Sequence, residues 1–119
     1  MSFAVEALGG LAQETRLAVF RKLMSVYPEP MASGDIAAAC DVLHNTMSTH
    51  LAVLSRAGLI TSERRSRSIL YRIDIDGFRR LVGFLASDCC QGRPEICAPV
   101  LAPLPASCPL EAGQEQPYA

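Results

Sequence analysis

"MSTHLAVLSRAGLI", residues 47–60, is the stretch from which the fold can be read. Met47, Leu51 and Leu54 recur at helical spacing, which predicts a helix over about 45–57 with that stripe turned inward. Gly58 stands where such a helix needs a left-handed residue to stop. Just ahead, "SGDIAAAC" predicts a shorter helix over 34–40, with Ser33 placed to cap it and Ile36, Ala37 and Cys40 on one face. A brief turn around Asp41–Leu43 is all that separates the two. Two short helices joined so tightly, each with a single apolar stripe, make a helix-turn-helix.

Working outward, the period changes after Leu59. Ile60, Ser62 and Arg64, then Ile69, Tyr71 and Ile73, alternate around "RRSRS", which predicts a two-stranded hairpin. Asp76 is expected to cap a last helix over roughly 77–90, with Phe78, Leu81, Val82 and Leu85 on one side. Toward the N-terminus, residues 3–27 read as helical through Leu11, Val19, Phe20 and Leu23. Gly9-Gly10 is expected to divide that stretch into two helices, and Pro28 and Pro30 to end it. The order helix, helix, helix-turn-helix, hairpin, helix is that of a winged helix-turn-helix, a mainly α (α+β) fold. Residues 1–92 are expected to form this domain. Residues 93–119 are read as a flexible Pro-rich tail, since 98–119 holds five of the eight prolines and almost no periodicity.

With 119 residues, half of them apolar and 19% charged, the chain suits one globular domain. No stretch reaches the roughly 18 apolar residues of a membrane span, and "MSFAVEALGG" lacks the basic flank of a signal peptide. The expectation is a cytoplasmic protein without membrane contact, whose cysteines stay reduced and serve metal or redox chemistry rather than disulfides. Net charge is −1, but Val42–Ile73 holds Arg56, Arg64, Arg65, Arg67 and Arg72 against Glu63 alone, a local balance of +4. A basic patch on a near-neutral chain is the footprint of a nucleic-acid partner.

In a helix-turn-helix the N-terminal half of the second helix faces base edges in the major groove. Here that half offers His44, Asn45, Thr46, Ser48, Thr49 and His50, short polar groups suited to bases or phosphates. Arg64, Arg65 and Arg67 at the hairpin tip are placed to clasp the phosphate backbone or the minor groove of double-stranded DNA. His44 and His50 could alternatively ligate a metal, but nothing near them has ligand spacing.

Three segments, "LAQETRLAVFRKL", "MSTHLAVLSRAGLI" and "ERRSRSILYRI", resemble the ArsR-type winged-helix metalloregulators over about residues 5–88. The second is the most specific, matching that family's recognition-helix pattern almost letter for letter from Ser48 to Ile60. Leu43 stands where the family commonly has a serine cap, so a later or less firm helix start is expected; Ser66 replaces the usual wing glycine. The resemblance implies a homodimer built from the first and last helices, acting as a repressor on an operator of matching two-fold symmetry. It also implies release of that operator when a toxic metal or metalloid binds.

Family members place their sensor ligands differently. The third-helix cysteine run of arsenic-responsive members corresponds to "ASGDI", without cysteine, and the last helix holds no histidine of the zinc-responsive kind. Cys40, alone on an apolar face, reads as a small hydrophobe rather than a ligand. Cys89, Cys90 and Cys97 remain, with Cys108 further along. Cys89 and Cys90 fall at the end of the last helix; Gly92 is placed to end it and Pro94 to prevent its resuming, so that Cys97 can fold back. Three thiolates make a soft site. As(III) and Sb(III) favour three sulfurs in a narrow pyramid, whereas structural Zn²⁺ wants four ligands with a wider first spacing. The expected inducer is As(III) or Sb(III), with a soft divalent metal (Cd, Pb, Zn), a thiol redox switch and functionless surface cysteines as alternatives. An arsenate-reductase-like enzyme is disfavoured. The sixth residue after Cys89 is Glu95 and after Cys90 is Ile96, not the arginine of a phosphate-binding loop, and no Cys-x-x-Cys pair exists.

Overall fold

Leu23, Ile36, Met47, Leu51, Leu54 and Leu59 are wholly buried, and they define a core shared by three helices and the corner that follows them. The computed structural model describes residues 2–89 together with Gln91, Arg93 and Glu95. In chain order the elements are α1 (Ser2–Leu11), α2 (Glu14–Val26), β1 (Met31–Ala32), α3 (Ser33–Ala39), α4 (His44–Arg56), β2 (Ile60–Arg65), β3 (Ser68–Ile73) and α5 (Ile75–Gly83). A π-helical turn, Phe84–Cys89, follows. The fold is the expected winged helix-turn-helix, with α3 and α4 as the helix pair and β2–β3 as the wing. The described residues divide into two compact units between Val82 and Gly83. Among them no helix is long and apolar enough to cross a membrane.

The inward stripe of α4 is the predicted one, and Gly58 ends the helix with φ at +80°. Asp74 N–H donates to the carbonyl of Leu59, 2.9 Å away, closing the corner over which α5 begins. The wing pairs antiparallel from Ile60↔Ile73 to Arg65↔Ser68, leaving a two-residue loop of Ser66 and Arg67. Of that pair only Ser66 has a positive φ, 57°, the sign pattern of a II′ rather than a I′ turn. Glycine would normally take that place, so Ser66 holds a left-handed conformation at some steric cost.

Several expectations are corrected. The sheet has three strands, because Met31 and Ala32 add to the wing through β3 (Met31↔Tyr71, Ala32↔Leu70), and two residues are too few to show an alternating pattern. Gly9-Gly10 does not break the first helix, which runs to Leu11. Gly10 is buried, and a Cβ there would lie 3.1 Å from the Cβ of Ala57, so it is glycine for close packing rather than for a turn. Ser33 is not the cap of α3; the N-cap is Ala32, and the Ser33 hydroxyl lies 3.1 Å from His44 Nε2 instead. Asp74, not Asp76, caps α5: its Oδ1 accepts from Gly77 N–H at 3.1 Å, because β3 ends at Ile73 and the helix starts immediately. Asp76 sits in the first turn, where a carboxylate complements the helix dipole.

Two expectations about α4 and α5 also change. The helical stretch predicted over 77–90 is α-helical only to Gly83, and Phe84–Cys89 forms the wider i→i+5 turn. Of its expected inward residues Leu81 is buried, but Val82 and Leu85 are exposed in the single chain. The later start expected for α4 is not found: the helix begins at His44, with Leu43 as an N-cap that supplies no side-chain hydrogen bond.

Candidate nucleic-acid interface

α4 is presented by its inward stripe. With Met47, Leu51 and Leu54 fixed in the core, Asn45, Thr46 and Thr49 must turn outward, and all three are exposed. Asn45 and Thr49 are one turn apart and Thr46 is three before Thr49, so they share a surface. Among the described residues none of the three has a side-chain hydrogen bond, leaving their donors and acceptors available. Ser48 is exposed but donates its hydroxyl to the His44 carbonyl at 3.2 Å. His44 is exposed and tied to Ser33, at the start of α3.

His50 is set apart from these. It is half-buried, with Nδ1 3.4 Å from Arg16 Nη1. A guanidinium only donates, so Nδ1 is the atom placed to accept in this contact. Arg16 Nε donates at 2.7 Å to the carbonyl of Gly10, and Arg16 N–H donates at 2.8 Å to Oε1 of Gln13, the N-cap of α2. One arginine therefore joins the end of α1, the start of α2 and the middle of α4. Sequence reasoning missed Arg16, because its partner in α4 is 34 positions away.

In the wing, Glu63 sorts the arginines. Arg65 lies two positions on and so on the same face, and Arg72 is its diagonal neighbour across the strands. Arg65 Nη2 donates to Oε2 at 2.7 Å and Arg72 Nη2 to Oε1 at 3.4 Å. The Arg65 hydrogen bond and then its charge hold the Glu63 carboxyl below its ordinary range; desolvation opposes them, and the charge of Arg72 adds a lesser lowering. The pairing is exposed, and its worth is screened accordingly. Arg64, on the opposite face, and Arg67, in the loop, are exposed and have no partner among the described residues. The alternation of the strand was the signal that could have separated Arg64 from Arg65.

Of the expected sensor cysteines, Cys90 and Cys97 lie outside the described residues, as do Gly92, Pro94 and Cys108. Cys89 is described in its backbone alone, as the last residue of the π-helical turn. Gln91 takes a left-handed conformation, φ 62°. Cys40, the C-cap of α3, is half-buried; burial pushes its thiol up, and the charge of Lys22 offsets part of that rise. A thiol raised in this way is a poor ligand and a poor nucleophile. Among the described residues no three His, Cys, Asp or Glu side chains gather where they could hold a metal ion.

This arrangement agrees with comparisons to known proteins. Residues 11–63 match a family described as a helix-turn-helix domain. The HTH-type transcriptional regulator YceK of Bacillus subtilis is 33% identical over 76 residues, covering 63% of this chain and 75% of that protein. The chain is a winged helix-turn-helix transcriptional regulator. Its fold is that of the ArsR family. The homodimeric winged helix-turn-helix domain Mb0332 of Mycobacterium bovis, a possible ArsR-family regulator, superposes with a TM-score of 0.60 at 25% identity, over 77% of this regulator and 85% of that domain. A solved protein described as a possible transcriptional regulator for arsenical resistance is 29% identical with a TM-score of 0.61, over 69% of this regulator and 82% of the other. The regulator binds DNA, and its relatives and fold are those of transcriptional regulators rather than enzymes.

Proposed function

We propose that the regulator is a dimeric repressor that reads a two-fold operator through α4 and releases it when As(III) or Sb(III) binds Cys89, Cys90 and Cys97. The observation that carries the operator reading is the exposed set Asn45, Thr46 and Thr49, without side-chain hydrogen bonds among the described residues, on a helix that shares a core with a wing bearing Arg64 and Arg67, likewise without partners among them. The α4 residues take base edges, with Ser48 and His44 beside them; Arg64 and Arg67 take phosphates, and Arg65 joins them as far as Glu63 lets go. His50 positions α4 through Arg16.

Dimerisation is supported by α1. Its inward residues are the small Ala4, Ala7 and Gly10, while Val5 (65% exposed) and Leu8 (44%) face outward. Small residues inside and large apolar ones outside suit a helix that packs its outer face on a second copy. The Mycobacterium bovis domain is a homodimer of the same fold.

The inducer reading is supported by the donor set. Three thiolates within nine residues form a soft site, and a trivalent metalloid supplies three soft bonding positions without demanding a fourth ligand. The similarity to a possible regulator for arsenical resistance points the same way. Coupling of this kind is typically worth about 1–3 kcal/mol per ligand, a 5- to 150-fold loss of DNA affinity. The test is fluorescence anisotropy of a duplex selected by the regulator, titrated with arsenite. Release by arsenite that fails in Cys90→Ser supports the site; release at unchanged arsenite concentration in that variant refutes it. Release by peroxide but not arsenite favours a thiol switch instead.

A further inference from the structure

The exposed side chains on the first turn of α4 are polar, yet the residue that opens the helix is Leu43, 79% exposed and the most exposed of the large hydrophobic side chains described. N-caps are normally Ser, Thr, Asp or Asn, whose oxygens bond the first free amides. Leucine here forgoes that bond and holds apolar surface in water. Both disadvantages fall on one position. The backbone around it is not loose: Cys40 N–H donates to Ile36 (3.0 Å), Asp41 N–H to Ala38 (3.2 Å) and Val42 N–H to Ala37 (3.0 Å). The Leu43 carbonyl itself accepts from Met47 N–H at 2.9 Å. The side chain is therefore held out from a fixed turn, at the end of the helix that enters the major groove.

Major-groove base edges carry hydrogen-bonding groups and one apolar feature, the C5-methyl of thymine. We propose that Leu43 reads a thymine methyl in each operator half-site, adding an apolar contact to the polar readout by Asn45, Thr46 and Thr49. This rests on α4 being the recognition helix. The preference is for thymine over cytosine, and over uracil, which pairs with adenine identically but lacks the methyl.

The test starts from duplexes that the full-length regulator selects out of a random-sequence library. Each thymine of a tight duplex is replaced in turn by deoxyuridine, and affinity is measured by fluorescence anisotropy. One methyl removed from a buried apolar contact predicts a loss of about 4-fold at one thymine of a half-site, and about 15-fold when both half-sites are changed. Leu43→Ala is expected to bind the thymine and uracil duplexes alike. Leu43→Ser, which restores a cap, is expected to melt no lower than the parent and to bind DNA with the same indifference to the methyl. A regulator that binds through α4 but tolerates uracil at every thymine overturns this proposal alone, as does undiminished discrimination in Leu43→Ala. If no duplex is selected, or if Thr49→Ala binds the selected duplex as tightly as the parent, the reading of α4 itself falls and takes this proposal with it.

Discussion

Gly77 offers the sharpest stability test in the fold. It lies in the first turn of α5, directly over the residue that ends α4. A Cβ added to it would sit 1.8 Å from the carbonyl oxygen of Gly58 and 3.0 Å from its carbonyl carbon. A methyl and an oxygen do not approach within about 3 Å, so one backbone must move by about 1 Å or more. Neither is free to. Gly58 is held left-handed between α4 and β2, and Gly77 N–H is bonded to Asp74, whose own N–H is bonded to Leu59. Overpacking costs about 1–3 kcal/mol, and a clash between two backbones belongs at the upper end. The better helix propensity of alanine offsets at most about 1 kcal/mol. Gly77→Ala is therefore expected to destabilise by about 2 kcal/mol and lower Tm by roughly 10 °C. Gly9→Ala is the control: Gly9 lies inside α1 with nothing of its own protomer within 4 Å of the added Cβ, so no clash within the protomer opposes the propensity gain and Tm does not fall. Thermal melts by circular dichroism decide it. A Gly77→Ala variant that melts with the parent would show that α5 does not dock as described.

Glu63→Gln frees Arg65 and Arg72, so affinity for a selected duplex is expected to rise and log K to fall more steeply with log salt, by up to about 1.8 per protomer if both arginines reach phosphates; anisotropy across a salt series measures this. Because Arg65 and Arg72 lower the Glu63 carboxyl, the pairing is fully present above the ordinary carboxylate pKa and is lost as pH falls through the lowered value, which an NMR titration of that carboxyl follows. Arg16→Met removes the charged hydrogen bond to Gly10 and the contact with His50; a loss of about 1.5–3 kcal/mol in denaturant unfolding, with weakened DNA binding, is expected. Leu54→Ala, in the centre of the wholly buried set, should cost about 2–5 kcal/mol by the same assay. Cys40, with its raised thiol, should alkylate more slowly than a free cysteine when followed by mass spectrometry.

The fold was legible because two periods meet at Leu59. Met47, Leu51 and Leu54 announce a helix, Ile60 and Ile73 a hairpin, and Gly58 marks the join; all lie where the spacing put them. What escaped depends on partners distant in sequence or on local competition. Two residues of strand at Met31–Ala32 carry no alternation and form only because β3 is there to pair with. Gly10 reads as a breaker until Ala57 is seen against it. Asp74 and Asp76 offer the same cap chemistry, and the end of β3 chooses between them. The exposed positions of Asn45, Thr46 and Thr49 follow from the inward stripe of their own helix, whereas the turning of His50 toward Arg16 depends on how α1 and α2 meet α4.

The segment that carries the family match ends at Glu63, halfway along β2, whose pairing partner lies wholly beyond it. β1 pairs with β3 alone, and Phe20 on α2 rests against Phe78 on α5, ring centroids 5.5 Å apart. Transplanting DNA specificity into another regulator therefore cannot use residues 11–63 as a cassette. A graft cut there would carry half a hairpin and an orphaned entry strand; a chimera must be spliced after α5.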